Sequence, residues 1–346
     1  MTNESTVVAP QPIKPRRTLN WPWVLLLIAA LVFGAYFRFV GLDWDQGTHR
    51  HPDERFLTDV TTRISIPDNL GDYFNSAKSS LNPYNHDFGL FVYGDLPVAM
   101  TRLIAEVLDK VCAASPEACL KNSYGVPIGY TAYDGVYLLG RFLSGVLDLF
   151  TLIFMFLIGR RLYNVRVGAL AAFLGAATVL QIQQSHFYTA DIFAAFFATA
   201  AVFFVLRFAD TNSWGDAVAS GVATGLAVAC RINVAPLLGV SAIGAFAFVL
   251  RQWRNPRRTA NFEGAIARIL VATVAAVIVF RIFMPYAFDG LFKFDERWTN
   301  NMNYIRSLVS TGDDPGGPPG VQWTNRPPIV FSWINIVFWD WVCRSV

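Results

Sequence analysis

Residues 21–37 run for 17 positions without a charged side chain, and six further apolar stretches follow at 136–158, 167–184, 192–206, 217–230, 232–250 and 269–286. An eighth occupies 329–342. In hydrocarbon a backbone must satisfy its own N–H and C=O groups, and a helix does so within one segment of about 20 residues. Several of these stretches are shorter, so tilting, bilayer thinning or protein-lined ends must make up the difference. Composition agrees: 54% of the chain is hydrophobic and 15% charged, against roughly a quarter charged in a soluble domain. The 29 Phe and 10 Trp exceed what one globular core accommodates, yet suit helices that face lipid. The expected fold class is an all-α polytopic membrane protein with about eight spans. A net charge of +3 is too mild for a nucleic-acid binder, and neither a zinc knuckle nor a P-loop is present.

Charge distribution gives an orientation. With the tail inside, the inner segments hold Lys14, Arg16, Arg17, Arg160, Arg161, Arg166, Arg207, Arg251, Arg254, Arg257, Arg258 and Arg268 against Glu4, Asp210, Asp216 and Glu263, a net +8, leaving −5 for everything else. The positive-inside rule then makes the N-terminus cytoplasmic and both long polar segments extracytoplasmic. The expected division is a basic tail at 1–20, a first span at 21–40, an extracytoplasmic catalytic loop with surface helices at 41–135, a bundle at 136–286, a second extracytoplasmic loop at 287–328 and a final span at 329–346. A cleaved signal peptide would carry a shorter apolar region ending in small residues, whereas this one ends Tyr36-Phe37-Arg38-Phe39, so an uncleaved anchor is expected. Cys112 and Cys119 are close enough to bridge a loop in an oxidising compartment.

Functional side chains gather where the first polar segment opens: Asp43, Asp45, His49, His51, Asp53 and Glu54. Pro52 and the two acids after it suit a helix start, but that does not account for two histidines and four acids beside the membrane. Asp53 suits a general base; His49, His51 and Asp53 are also possible ligands of a divalent metal, although their spacing matches no diagnostic motif. A second cluster, Gln181 to Asp191 with His186, sits at a turn between spans, where Asp191 is placed to converge with Asp53. Arginines recur at span ends. Arg38 is expected to snorkel, and Asp148 to pair with Arg141, seven residues earlier. Arg231 lies in the turn of an otherwise apolar hairpin with Asn233 and Pro236, where a guanidinium suits a phosphate.

Arg38-Phe-Val-Gly-Leu-Asp43, His51-Pro-Asp-Glu-Arg-Phe56, Tyr93-Gly-Asp-Leu-Pro97, Gly140-Arg141, Ser185-His-Phe-Tyr-Thr-Ala-Asp191 and Pro285-Tyr-Ala-Phe288 together resemble the GT-C glycosyltransferases, in particular bacterial relatives of the dolichyl-phosphate-mannose protein mannosyltransferases and of the lipid A aminoarabinose transferase. The resemblance implies a multi-pass, plasma-membrane enzyme of bacterial type that moves a sugar from a polyprenyl-phosphate carrier, with inversion, to a protein, lipid or glycan acceptor. It maps the catalytic acids to Asp53, Glu54 and Asp191, and substrate contacts to His51, His186, Arg231 and, more weakly, Arg141. The pattern commits to no cofactor, and a divalent metal near His49, His51 and Asp53 stays open. Because such enzymes continue through further spans, the chain reads as truncated at its C-terminus. The alternative is a transporter or flippase for a polyprenyl-linked or anionic substrate, which would place charges and broken helices near the midplane and often carry repeats.

Overall fold

The protein was analysed as a computed structural model, which describes residues 21–115, 117, 119–121, 125–253, 262–309 and 326–334. Its helices are α1 (Trp21–Phe39), α2 (Pro52–Arg63), α3 (Leu70–Tyr73), α4 (Asp95–Ala114), α5 (Tyr133–Leu162), α6 (Val165–Ala177), α7 (Val179–Ser185), α8 (Ala190–Thr211), α9 (Trp214–Cys230), α10 (Leu237–Trp253), α11 (Phe262–Phe283), α12 (Glu296–Val309) and α13 (Pro328–Ile334). Among the described residues five helical segments are long and apolar enough to cross a membrane, and the bent pair α6 and α7 makes a sixth if it is one span. The apolar α9 is shorter, at 17 residues. Seven of the eight expected segments therefore appear as helix; most of the eighth, like the tail 1–20, lies outside the described residues.

The short α9 is the centre of the bundle rather than a lipid-facing rod. Its small side chains Ala217, Gly221 and Gly225 recur every fourth residue on one face, and a Cβ on Gly221 would come within 2.1 Å of the Ala272 carbonyl oxygen of α11. Without an apolar driving force between helices in lipid, such close backbone approach is what lets packing hold them together. At one end of the bundle Arg161 pairs with Asp210 and Arg207 with Asp216, each at 2.9 Å, tying the arginine-rich ends of α5, α8 and α9.

The segment 167–184, expected as one span, breaks at Thr178, where ψ of 112° leaves the helical region and the axis turns by 60°. A break of this kind strips carbonyls of their partners, and in a membrane they must find others. Arg38 supplies them: its guanidinium donates to the carbonyls of Gly34, Ala176 and Gly175, while Nε pairs with Asp148. This corrects two expectations. Arg38 does not snorkel but is fully buried, and Asp148 is its partner rather than that of Arg141. Seven residues along a helix is a rise of about 10 Å, which a side-chain ion pair does not span, and Gln181 of α7 takes the second Asp148 oxygen at 3.0 Å.

Between α1 and α5 the first polar segment folds as expected into surface helices. A core of Leu57, Val60, Ile64, Phe91, Leu96 and Val98 joins Tyr188, Phe193, Ala229 and Tyr286 from the bundle. The amphipathic α4 spans 95–114, slightly wider than its apolar pattern, and a disulfide joins Cys112 at its end to Cys119. The second polar segment forms a two-stranded hairpin, Phe288–Asp289 with Lys293–Phe294, and then α12. The two segments interlock through Ser79 Oγ and Tyr286 Oη at 2.7 Å, Ser76 and Asp295 at 3.0 Å, and Asn301 Nδ2 donating to Tyr84 Oη at 3.1 Å.

Candidate active site

Asp53 and Asp191 each stand in the first turn of a helix, α2 and α8, where an acid complements the macrodipole. Arg231 is the residue that ends α9, where a cation does the same. Packing brings these three helix ends together. Arg231 Nε lies 2.8 Å from Asp191 Oδ1 and Nη2 lies 3.5 Å from Asp53 Oδ2, so one guanidinium bridges two carboxylates. All three are open to solvent, with side-chain exposures of 28% for Arg231, 30% for Asp53 and 48% for Asp191.

Tyr93 completes the cluster, and the sequence reading missed it as a site residue. The Gly94 N–H donates to the Cys230 carbonyl at 3.0 Å, and a Cβ on Gly94 would fall 1.8 Å from the Ala229 carbonyl oxygen. Only glycine permits that contact. It zips the two chains so that Tyr93 lies beside Arg231, whose guanidinium sits 5.5 Å above the ring. Burial, together with the charge of Asp53 and a hydrogen bond to it, pushes the Tyr93 phenol well above its usual range. At neutral pH the phenol keeps its proton beside the Asp53 carboxylate. The signal for this residue was the Tyr-Gly pair preceding Asp95, legible only once Gly94 is seen against α9.

A cleft of about 450 Å³ opens from Tyr93 and Arg231 and is lined also by Val92, Ile232, Asn233 and the α12 residues Met302, Ile305 and Arg306. Its wall mixes apolar side chains with two guanidinium groups.

The other candidates lie elsewhere. Glu54 and Arg141 face each other, both fully buried: Nε and Nη2 of Arg141 donate to the two Glu54 oxygens at 2.7 Å each, Nη1 donates to the Leu42 carbonyl at 2.7 Å, and Asp45 lies 2.9 Å away. Glu54 also accepts the Tyr188 N–H at 2.9 Å. Both groups, expected as a catalytic acid and a substrate contact, are thus buried and paired within the protein rather than open to the cleft. His51 caps α2, its Nδ1 accepting the Asp53 N–H at 3.2 Å, and stacks on Phe187. His186 lies with Nδ1 2.8 Å from the Ile182 carbonyl and Nε2 3.0 Å from that of Val40, pinning α7 to the end of α1. Both rings are committed to the backbone rather than to the cleft.

His49 is buried between the rings of Tyr133 and Tyr137, and that burial lowers its pKa. It does not converge with His51 and Asp53, and among the described residues no group of three or more His, Cys, Asp or Glu side chains is arranged to hold a metal ion.

A bundle of apolar helices whose acids and arginine meet at one end, under a folded polar segment inserted after the first span, defines an all-α polytopic membrane protein. Residues 136–285 match the family model described as dolichyl-phosphate-mannose-protein mannosyltransferase. Among solved structures, the chain is similar to the S. cerevisiae protein O-mannosyltransferase Pmt1-Pmt2 complex bound to the sugar donor, with a TM-score of 0.53 and 18% identity over 79% of this chain. It is also similar to the Archaeoglobus fulgidus oligosaccharyltransferase in its apo form, with a TM-score of 0.43 and 13% identity over 92% of this chain. The chain spans 35% and 37% of the length of those two chains. No curated protein matches it in sequence.

Proposed function

We propose that the chain carries the catalytic bundle of an inverting glycosyltransferase that takes a sugar from a polyprenyl-phosphate carrier on the extracytoplasmic side of a bacterial-type plasma membrane and passes it to a protein, lipid or glycan acceptor. The observation that carries this reading is the Asp53–Arg231–Asp191 bridge standing open at the lip of a cleft that mixes apolar side chains with guanidinium groups. A sugar on a phosphate carrier is already activated. The protein must deprotonate the acceptor and stabilise the charge that develops on the leaving phosphate.

In this reading Asp53 takes the acceptor proton as the acceptor oxygen attacks the anomeric carbon, and the bond from that carbon to the phosphate oxygen breaks on the opposite face. Asp191 orients acceptor and arginine, and Arg231 meets the departing phosphate with a planar fork suited to two oxygens. Tyr93 holds Asp53 in place by donating to it. Glu54, Arg141, His51 and His186 act as framework. The inside charge of +8 over the tail and the short loops supports the orientation. A transporter would use a helix break as a vacant binding site, whereas the carbonyls freed at Thr178 are filled by Arg38.

The test is the choice of donor. Purified protein in lipid, offered the same labelled sugar either on polyprenyl phosphate or on a nucleotide diphosphate, should transfer label only from the lipid carrier. Transfer from the nucleotide sugar alone would overturn the assignment.

A further inference from the structure

We infer that Arg306, on α12, is the second phosphate ligand of the donor cleft and supplies the positive charge that Arg231, bridged to two carboxylates, has already spent. The inference rests on the donor reading above and adds to it a residue from the second polar segment.

Charge balance is the first argument. With Asp53 and Asp191 ionised, the bridge with Arg231 sums to −1. A phosphodiester approaching it carries another −1, and like charges a few ångströms apart in a partly desolvated cleft repel far more strongly than in bulk water. Arg306 brings the four side chains to neutrality, so that an arriving phosphodiester no longer meets a net negative charge. It is exposed, lines the same cleft as Arg231, and forms no ion pair among the described residues.

Placement is the second argument. Met302, Ile305 and Arg306 recur at a spacing of three and four, which puts them on one helix face, and all three line the cleft. That face is held in register: Asn301, buried at the preceding position, donates to the Phe91 carbonyl at 3.3 Å and to Tyr84 Oη at 3.1 Å, fixing α12 to the strand of chain that leads to Tyr93. Arg306 is thus aimed at the cleft by packing of the element that carries it.

The third argument is chemical class. Val92, Ile232, Met302 and Ile305 share the lining with Arg231, Asn233 and Arg306. Such a wall suits an amphiphile with an anionic head and an apolar body, and a wholly polar anion would leave the apolar half of it unused.

The experiment measures binding of farnesyl phosphate and of farnesol to the full chain in detergent by titration calorimetry, with the parent protein, Arg306→Gln and Arg306→Lys. The parent should prefer the phosphate. Arg306→Gln should weaken farnesyl phosphate by about tenfold, the worth of one charge-assisted hydrogen bond, while farnesol binding and melting temperature stay at parent values. Raising the salt concentration should narrow that gap, and Arg306→Lys, which keeps the charge, should fall between the two. Equal farnesyl phosphate affinity in all three proteins would overturn the role of Arg306 and leave the donor reading standing. A parent protein that binds farnesol as tightly as farnesyl phosphate would instead count against the donor reading itself, and this inference would fall with it.

Discussion

Asp95 shows how a single buried group responds to its surroundings. It follows Gly94 and is buried at the start of α4, with a single N–H, that of Tyr286 at 3.4 Å, pointed at its carboxylate. Burial pushes its pKa up to about 7, and the Tyr286 N–H opposes the shift only in part. The folded-state pKa is raised above the unfolded value of 3.8, so the contribution to stability is complete below about pH 4 and is lost as pH rises through about 7. Asp95→Asn should remove that loss. Between pH 5 and 8 the parent should lose roughly 2–3 kcal/mol more than the variant, read as a steeper fall in melting temperature in detergent. Parallel melting curves across that range would contradict the burial argument. Asp95 was written in the sequence only as part of a motif, because burial of an acid in a polar segment depends on what the bundle places over it. Asp53, Asp191 and Arg231 were legible for the opposite reason. Each sits at a helix end, Asp191 and Arg231 beside apolar runs, and helix ends beside membranes are where charge is tolerated.

At the scale of elements, the chain is held by buried ionic ties between segments far apart in sequence. Arg141 and Glu54 fasten α2 to α5 across 87 residues, and Arg38 fastens α1 to both α5 and the broken α6. Removing one partner of such a pair leaves a buried charge with too little compensation and costs about 3–5 kcal/mol. In Glu54→Gln the Asp45 carboxylate still faces Arg141, so the loss should fall near the lower bound. The expected outcome is a melting temperature several degrees below the parent, with the donor affinity of the surviving folded protein unchanged. An unaltered melting temperature would argue against the tie. The period of the apolar runs revealed these helices and their order. The partners of the arginines inside them were not legible, since the sequence pairs a charge with its neighbours along one helix, while Arg38 reaches Asp148 from a different one. Likewise the break at Thr178 left no proline or glycine signal at that residue, and its carbonyls are satisfied by a side chain 138 positions away.

For the whole molecule, two polar segments from opposite ends of the described chain meet over one end of the bundle. The first brings Asp53 and Tyr93, the second brings α12, and between them the ends of α8 and α9 present Asp191 and Arg231. The central claim is that Asp53 is the base and the rest of the cluster holds it and the donor. It is tested most directly by turnover of Asp53→Asn, measured in lipid with a polyprenyl-phosphate sugar. The account predicts turnover lowered by about 10²-fold or more, with melting temperature and donor affinity near those of the parent. Turnover within a few-fold of the parent, with the substituted protein properly folded, would contradict it and remove Asp53 from the chemistry.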